Sequence, residues 1–159
     1  MNRLEELRRS FRPDQITTLF IGESPPRSGK FFYEQNSGLY RAMKSVFNWK
    51  EDFLSEFKAK GFYFDDLSLV PVNGMGQKAR RGQCEASIGS LRDRLKDYNP
   101  TAIVVLVRSI DRWVRKAAEQ AELKIPIYTT TYPGRFQNHR DRFRNEMAVI
   151  LPQLFEADI

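Results

Sequence analysis

The stretch LFIGESPPRSGKFFY, residues 19–33, decides how the chain is read. An apolar run of Ile16, Leu19, Phe20 and Ile21 stops at Gly22, and a polar loop with Glu23, Ser24, Pro25, Pro26 and Arg27 follows. A short apolar run closed by glycine reads as a buried strand opening into a loop. The paired prolines fix φ and stiffen that loop. In an open α/β sheet, ligands bind beyond the carboxyl ends of the strands. Glu23 and Ser24 therefore stand where chemistry is expected, and a plain strand-to-helix connection is the competing reading.

Outward from this stretch, apolar periodicity predicts the remaining elements. Residues 2–11 read as a helix that Pro13 ends, and 16–21 as the first strand. Leu39, Met43, Val46 and Phe47 mark one face of a helix, and Phe53, Leu54 and Phe57 a second, closed by Gly61. A second strand is predicted over 67–72, ending at Asn73 and Gly74, with a loop through GMGQKARRGQ. A helix over 84–98 stops at Asn99–Pro100. AIVVLV, residues 102–107, is continuous and rich in β-branched residues, as in a strand buried on both faces. Ile110, Trp113, Val114, Ala117 and Ala121 mark a helix, 125–131 a fourth strand, and Phe143, Met147, Ile150 and Leu154 the inner face of a last helix weakened at Pro152. Strands alternating with helices imply α/β architecture. The expectation is a three-layer α/β/α sandwich with a four-stranded, mainly parallel central sheet and about five helices, in a single domain.

Composition bounds the function. The 159 residues suffice for a core that folds alone, and 41% hydrophobic with 29% charged residues is ordinary for a globular protein. No apolar run approaches the roughly 20 residues that span a bilayer, so no membrane partner is expected. MNRLEELRRSF carries acids and reads as a surface helix rather than a leader, which makes the cytoplasm the expected location. One cysteine, Cys84, and one histidine, His139, argue against an intrachain disulfide, a cysteine-held cluster or a histidine metal site. Neither metal nor other cofactor is expected. The net charge of +6 permits a polyanion such as nucleic acid.

Three stretches in order resemble the uracil-DNA glycosylase superfamily over roughly residues 16–147. GESPP resembles the family's water-activating motif. LSLVPVNG resembles the strand whose terminal Asn recognises the base. TYPGRFQNHRDRF resembles the His-Pro-Ser-Pro loop that feeds a helix, and AIVVLVRSIDRWV the strand and helix before it. A glycosylase takes a base out of the stack and holds it in a pocket. The resemblance implies Phe32 as the stacking platform, Asn73 as the base reader, and Phe136 as the apolar wedge that enters DNA. Arg135, His139 and Arg140 beside that wedge, and Lys78, Arg80 and Arg81 after Asn73, are expected to grip phosphates.

Two positions depart from the family. Well-known members carry Asp where this chain has Ser24, so Glu23, the neighbouring carboxylate, becomes the candidate for positioning water. The motif His is replaced by Tyr132, whose hydroxyl can donate to a developing oxyanion. The expected function is hydrolysis of the N-glycosidic bond of uracil or another damaged base in damaged or single-stranded DNA, by a monomer, with Glu23, Ser24 and Tyr132 at the chemistry. The alternatives are a catalytically altered member that binds DNA or a modified base without cleavage, and a nucleotide or nucleoside enzyme on the same scaffold, in which Asp65 and Asp66 would matter.

Overall fold

The computed structural model describes residues 2–49 and 52–156. Helix α1, Arg3–Ser10, is capped by the Asn2 side chain, which accepts from the Glu5 amide at 2.9 Å. Glu5 and Glu6 in its first turn and Arg8 and Arg9 in its last oppose the helix dipole favourably. Strand β1, Thr18–Gly22, is buried at every residue. A 3-10 turn at Phe32–Glu34 leads into α2, Gly38–Phe47, and α3, Phe53–Ala59, then β2, Phe62–Asp66. Helices α4, Gln77–Ala86, and α5, Ile88–Tyr98, precede β3, Ala102–Val105. A 3-10 turn at Arg108–Ile110 opens α6, Asp111–Gln120, followed by β4, Ile127–Thr129, and α7, Gln137–Glu156.

The sheet order is β2-β1-β3-β4 and every pairing is parallel. Leu19 pairs with Tyr63 on one side and Ile103 on the other. Parallel strands need crossovers, and the helices supply them in two layers, with α2 packed on α7 and α5 on α6. The fold is the three-layer α/β/α sandwich, with all strands parallel and seven α-helices among the described residues.

One face of the sheet carries an aromatic core. Phe20 of β1 meets Phe47, Phe57 and Phe62 with ring centroids 5.4–6.4 Å apart. Each such side chain taken from water stabilises the fold by roughly 1.5–3 kcal/mol. The outer edge of β2 is plugged by side chains: the Phe64 amide donates to the Tyr33 hydroxyl at 2.7 Å, and its carbonyl accepts from Arg8 at 3.0 Å. At the opposite edge the Ile127 carbonyl accepts from Arg115 at 3.1 Å. The β2 edge is thereby blocked to a foreign strand, and the β4 edge is covered at one carbonyl.

Helix α2 is started by Ser37, whose hydroxyl accepts from the Tyr40 amide at 3.0 Å. Ser37→Ala is expected to cost about 1 kcal/mol, and Ser37→Gly only a few tenths. Urea midpoints at unchanged slope would show it, and equal losses for the two variants would contradict the cap.

Four elements differ from the sequence expectation. The second strand is Phe62–Asp66, not 67–72. Leu67 and Ser68 leave it to bond with the loop after β1, and Leu69 and Val70 are exposed. The expected helix over 84–98 is two helices that break at Ser87, and α4 occupies most of the expected loop. The fourth strand shrinks to three residues. Helix α7 begins at Gln137, and Pro152 lies inside it.

Candidate functional site

The loops after β1 and β2 are zipped together. The Leu67 and Ser68 amides donate to the Gly22 and Glu23 carbonyls, both at 2.9 Å. The Val72 amide donates to Ser24 Oγ at 3.2 Å, and Arg27 donates to the Asn73 carbonyl at 3.1 Å. These bonds explain Ser24: its hydroxyl is a tie between loops. At the mouth they form, a cavity of about 280 Å³ is lined by Gly22, Glu23, Ser24, Leu39, Phe64, Asp66, Asn73, Arg80, Val107, Ser109 and Tyr132. Ligand pockets run from roughly 300 Å³ upward, so this one suits a single base-sized group.

Glu23 is held by Arg80 from α4. Arg80 Nε donates to Glu23 Oε2 at 2.8 Å, and Nη2 bonds Oε1. The Cys84 thiol lies 3.7 Å from Oε2. Burial, followed by the Glu23 charge, pushes that thiol up to about 11, so it stays protonated and acts as a weak donor.

Asp66 ends β2 and reaches the same cavity, although it is only 2% exposed. Its Oδ2 accepts from Arg8 Nη2 at 2.9 Å. Among the described residues Oδ1 has no hydrogen-bond partner. Gly22 makes room for that oxygen, since a Cβ there would fall 2.7 Å from it. Asp65 is more fully matched: Arg8 lies at 3.3 Å, Arg94 donates at 2.9 Å and the Tyr98 hydroxyl at 2.6 Å. Both aspartates are buried and paired with arginine rather than solvated.

The two carboxyls are pulled in opposite directions. Burial pushes Asp66 up, and the Asp65 charge adds to that, outweighing Arg8 to give about 6. Asp65 also suffers burial, but Arg8, Arg94 and the Tyr98 bond hold it below the usual carboxylate value. The signs for stability follow. Folded Asp66 keeps its proton to about pH 6, whereas unfolded aspartate releases it near 3.8. Its contribution is full below the lower value and is lost as pH rises through the upper one. The Asp65 contribution is present above the ordinary value and lost in acid. Asp66→Asn keeps an oxygen for Arg8 and removes the first dependence. Relative to wild type, the variant's melting temperature is expected to climb from pH 4 to pH 6 and then level off. A difference that does not vary with pH would contradict the assignment.

Tyr132 stands across the cavity mouth, 46% exposed. Desolvation, then the charges of Asp66 and Glu23, raise its phenol above the ordinary value. It remains a proton-bearing donor. The Asn73 amide has no side-chain partner among the described residues and is available at the rim.

Other expected site residues lie elsewhere. Phe32 is 2% exposed and packs against Phe64, with centroids 4.8 Å apart, so it is a core residue behind the wall and not the platform. Phe64 is the aromatic that borders the cavity. Phe136 is 55% exposed at the start of α7, with Arg135 5.3 Å from its ring centroid and His139 edge-on at 5.7 Å. Arg140 braces this turn by donating to the Arg135 carbonyl at 2.6 Å and to Gln137 at 2.8 Å. With Arg41, Arg135 and Arg144 it lines a groove of about 640 Å³ that shares Leu39 and Tyr132 with the cavity. Lys78 is exposed on α4, away from both hollows, whereas Arg81 lines a second cavity beside Glu23. Among the described residues, no three His, Cys, Asp or Glu side chains gather as a metal site.

Sequence reasoning missed Phe64 and Arg41, and it named Asp66 only for the nucleotide-enzyme alternative. The available signal for Phe64 and Asp66 was FYFDD: an aromatic run that ends in two acids and precedes the more obviously apolar LSLVPV.

A cavity at the carboxyl edge of a parallel sheet, opening on an arginine-lined groove, is where α/β/α proteins bind their ligands. Among such proteins the match is specific: the model of the uracil DNA glycosylase superfamily aligns with residues 9–154, and the chain belongs to that superfamily. Its scaffold is therefore DNA glycosylase-like, in a family whose enzymes act on DNA and generally hydrolyse N-glycosidic bonds. Comparison with curated proteins gives no match.

Proposed function

We propose that the protein is a monofunctional DNA glycosylase that hydrolyses the N-glycosidic bond of uracil or another damaged base in a flipped nucleotide. The observation that carries this reading is the convergence of Glu23, Asp66, Asn73 and Tyr132 on one cavity of about 280 Å³. In the proposed reaction the base enters with Phe64 as apolar wall, and Asn73 and Asp66 meet its polar edge. Glu23 orients a water toward the sugar carbon and stabilises its developing positive charge. The water oxygen bonds that carbon while the carbon–nitrogen bond breaks, and the water's proton passes to Glu23 and from there to the departing base. The electron pair of the broken bond passes to the base, and Tyr132 donates to the oxygen on which charge gathers. Phe136 fills the gap left in the stack, and Arg135, Arg140 and Arg144 meet phosphates.

A second reading, binding without cleavage, rests on one observation: both Glu23 oxygens are held by Arg80. One assay separates the two. Labelled oligonucleotides carrying uracil, hypoxanthine, xanthine or mismatched thymine, single- and double-stranded, are incubated at low salt and treated with alkali. Strand breaks at one of these bases are expected. Binding with no alkali-labile product at enzyme excess would sink the cleavage reading and leave the second.

A further inference from the structure

A second cavity, of about 450 Å³, lies against the first and shares Glu23, Arg80 and Ser109 with it. Arg81, Arg112 and Trp113 also line it. Among the described residues Glu23 is its only carboxylate, and Arg80 already matches that charge. Arg81 and Arg112 make no ion pair among the described residues. Arg112 is held over the Trp113 ring, 4.5 Å from its centroid, which pre-orients its guanidinium. Two uncompensated guanidiniums in one concavity fit a phosphate, which accepts from such forks in pairs. Arg80 is the hinge between the hollows. It is bonded to Glu23, yet 44% of its side chain is exposed. The pair is bidentate and the Glu23 side chain is only 16% exposed, so Arg80 leaves it only for another strong anion presented on its open side.

Building on the proposed glycosylase reading, we infer that this cavity takes a phosphodiester of the strand that carries the flipped nucleotide. Arg81 and Arg112 hold the phosphate, and Arg80 transfers to it from Glu23. The carboxylate in the base cavity is thus freed only when a strand is seated. Without nucleic acid Glu23 is masked, which keeps its carboxylate from water and stray ligands. With nucleic acid, the same arginine that masked it neutralises the backbone.

The test measures binding, so it does not depend on turnover. A labelled single strand with a tetrahydrofuran abasic analogue, which cannot be cleaved, is titrated by anisotropy over a salt series. The Arg81→Ala/Arg112→Ala variant is expected to weaken binding about tenfold or more and to flatten the log–log salt slope by about 0.7, the change for one phosphate on a single strand. Glu23→Gln removes the competitor for Arg80 and is expected to tighten binding by about three- to tenfold, a gain that Arg80→Ala abolishes. Unchanged binding in the double variant, or no gain in Glu23→Gln, would overturn the inference even in an enzyme that cuts. Inorganic phosphate, followed by Trp113 fluorescence in a Trp49→Phe background, is expected to bind at least about tenfold more weakly than the strand. Equal affinity would assign the cavity to a free anion and overturn the strand assignment. If instead these binding results hold and no base is released, the glycosylase reading alone fails.

Discussion

Arg8→Ala is expected to lower the unfolding free energy by about 3–5 kcal/mol, the cost of removing one partner from a buried ion cluster. Arg8 is 1% exposed and lies between Asp65 and Asp66, themselves 1% and 2% exposed. Its truncation leaves Asp66 without a charged partner and the Phe64 carbonyl without its donor. Arg94 still covers Asp65 and the Asp66 and Leu67 carbonyls, so the damage centres on the end of β2. Arg8→Lys returns the charge but not the fork that serves a carbonyl and the three carboxylates of Glu5, Asp65 and Asp66, and only part of the loss should be recovered. Urea unfolding at unchanged slope is the measurement. A loss below about 1 kcal/mol would show that the three groups are not ionised together.

Glu23→Gln is expected to slow base release by roughly 10²–10⁴-fold, the usual range for a positioned acid–base group. Glutamine keeps the size and a hydrogen-bonding oxygen for Arg80 but cannot carry the negative charge that draws water and offsets a sugar cation. The interaction belongs to the transition state, so the loss should fall on kcat with KM not raised. Single-turnover rates at enzyme excess separate that step from product release. Retained rate would transfer the role to Asp66, the other carboxylate on the cavity. A fall confined to KM would make Glu23 a binding group only.

The first strand, the third strand and the loops around Glu23 and Tyr132 were legible because their signals are local. An apolar run that ends in Gly22, or AIVVLV before a polar turn, needs no distant partner to be read. The second strand was misplaced for the opposite reason. Asp65 and Asp66 look like a turn in FYFDD, and they are buried only because Arg8 and Arg94 arrive from other elements. Charge pairing across distant segments leaves no periodic trace. The resemblance implies Phe32 as a platform by its place after the first motif, whereas Phe53, Phe57 and Phe64 surround it in space. The glycines of GMGQKARRGQ suggested a loop, yet Gly76 stands at the N-cap, and the intervening Lys, Ala, Arg and Gln residues favour a helix. Elements set by local signals were therefore legible, and placements set by contacts between distant segments were not.

The order of the strands also bears on how the chain emerges during synthesis. Thr18 pairs with Phe62 on one side and with Ala102 on the other, so β1 lies at the centre of the finished sheet. A nascent chain that has released α1 through β2 can already join Arg8 to its aspartates and cover one flank of β1. The other flank waits for β3, with unpaired amides and carbonyls between Leu19, Phe20 and Ile21. Domains form from the N-terminus as the ribosome delivers them, and an open apolar strand is a template for a neighbouring nascent chain. A pause between β2 and β3, or a chain cut there, would present that template. Tyr132 follows later still, so the base cavity closes after the interval of greatest aggregation hazard has passed.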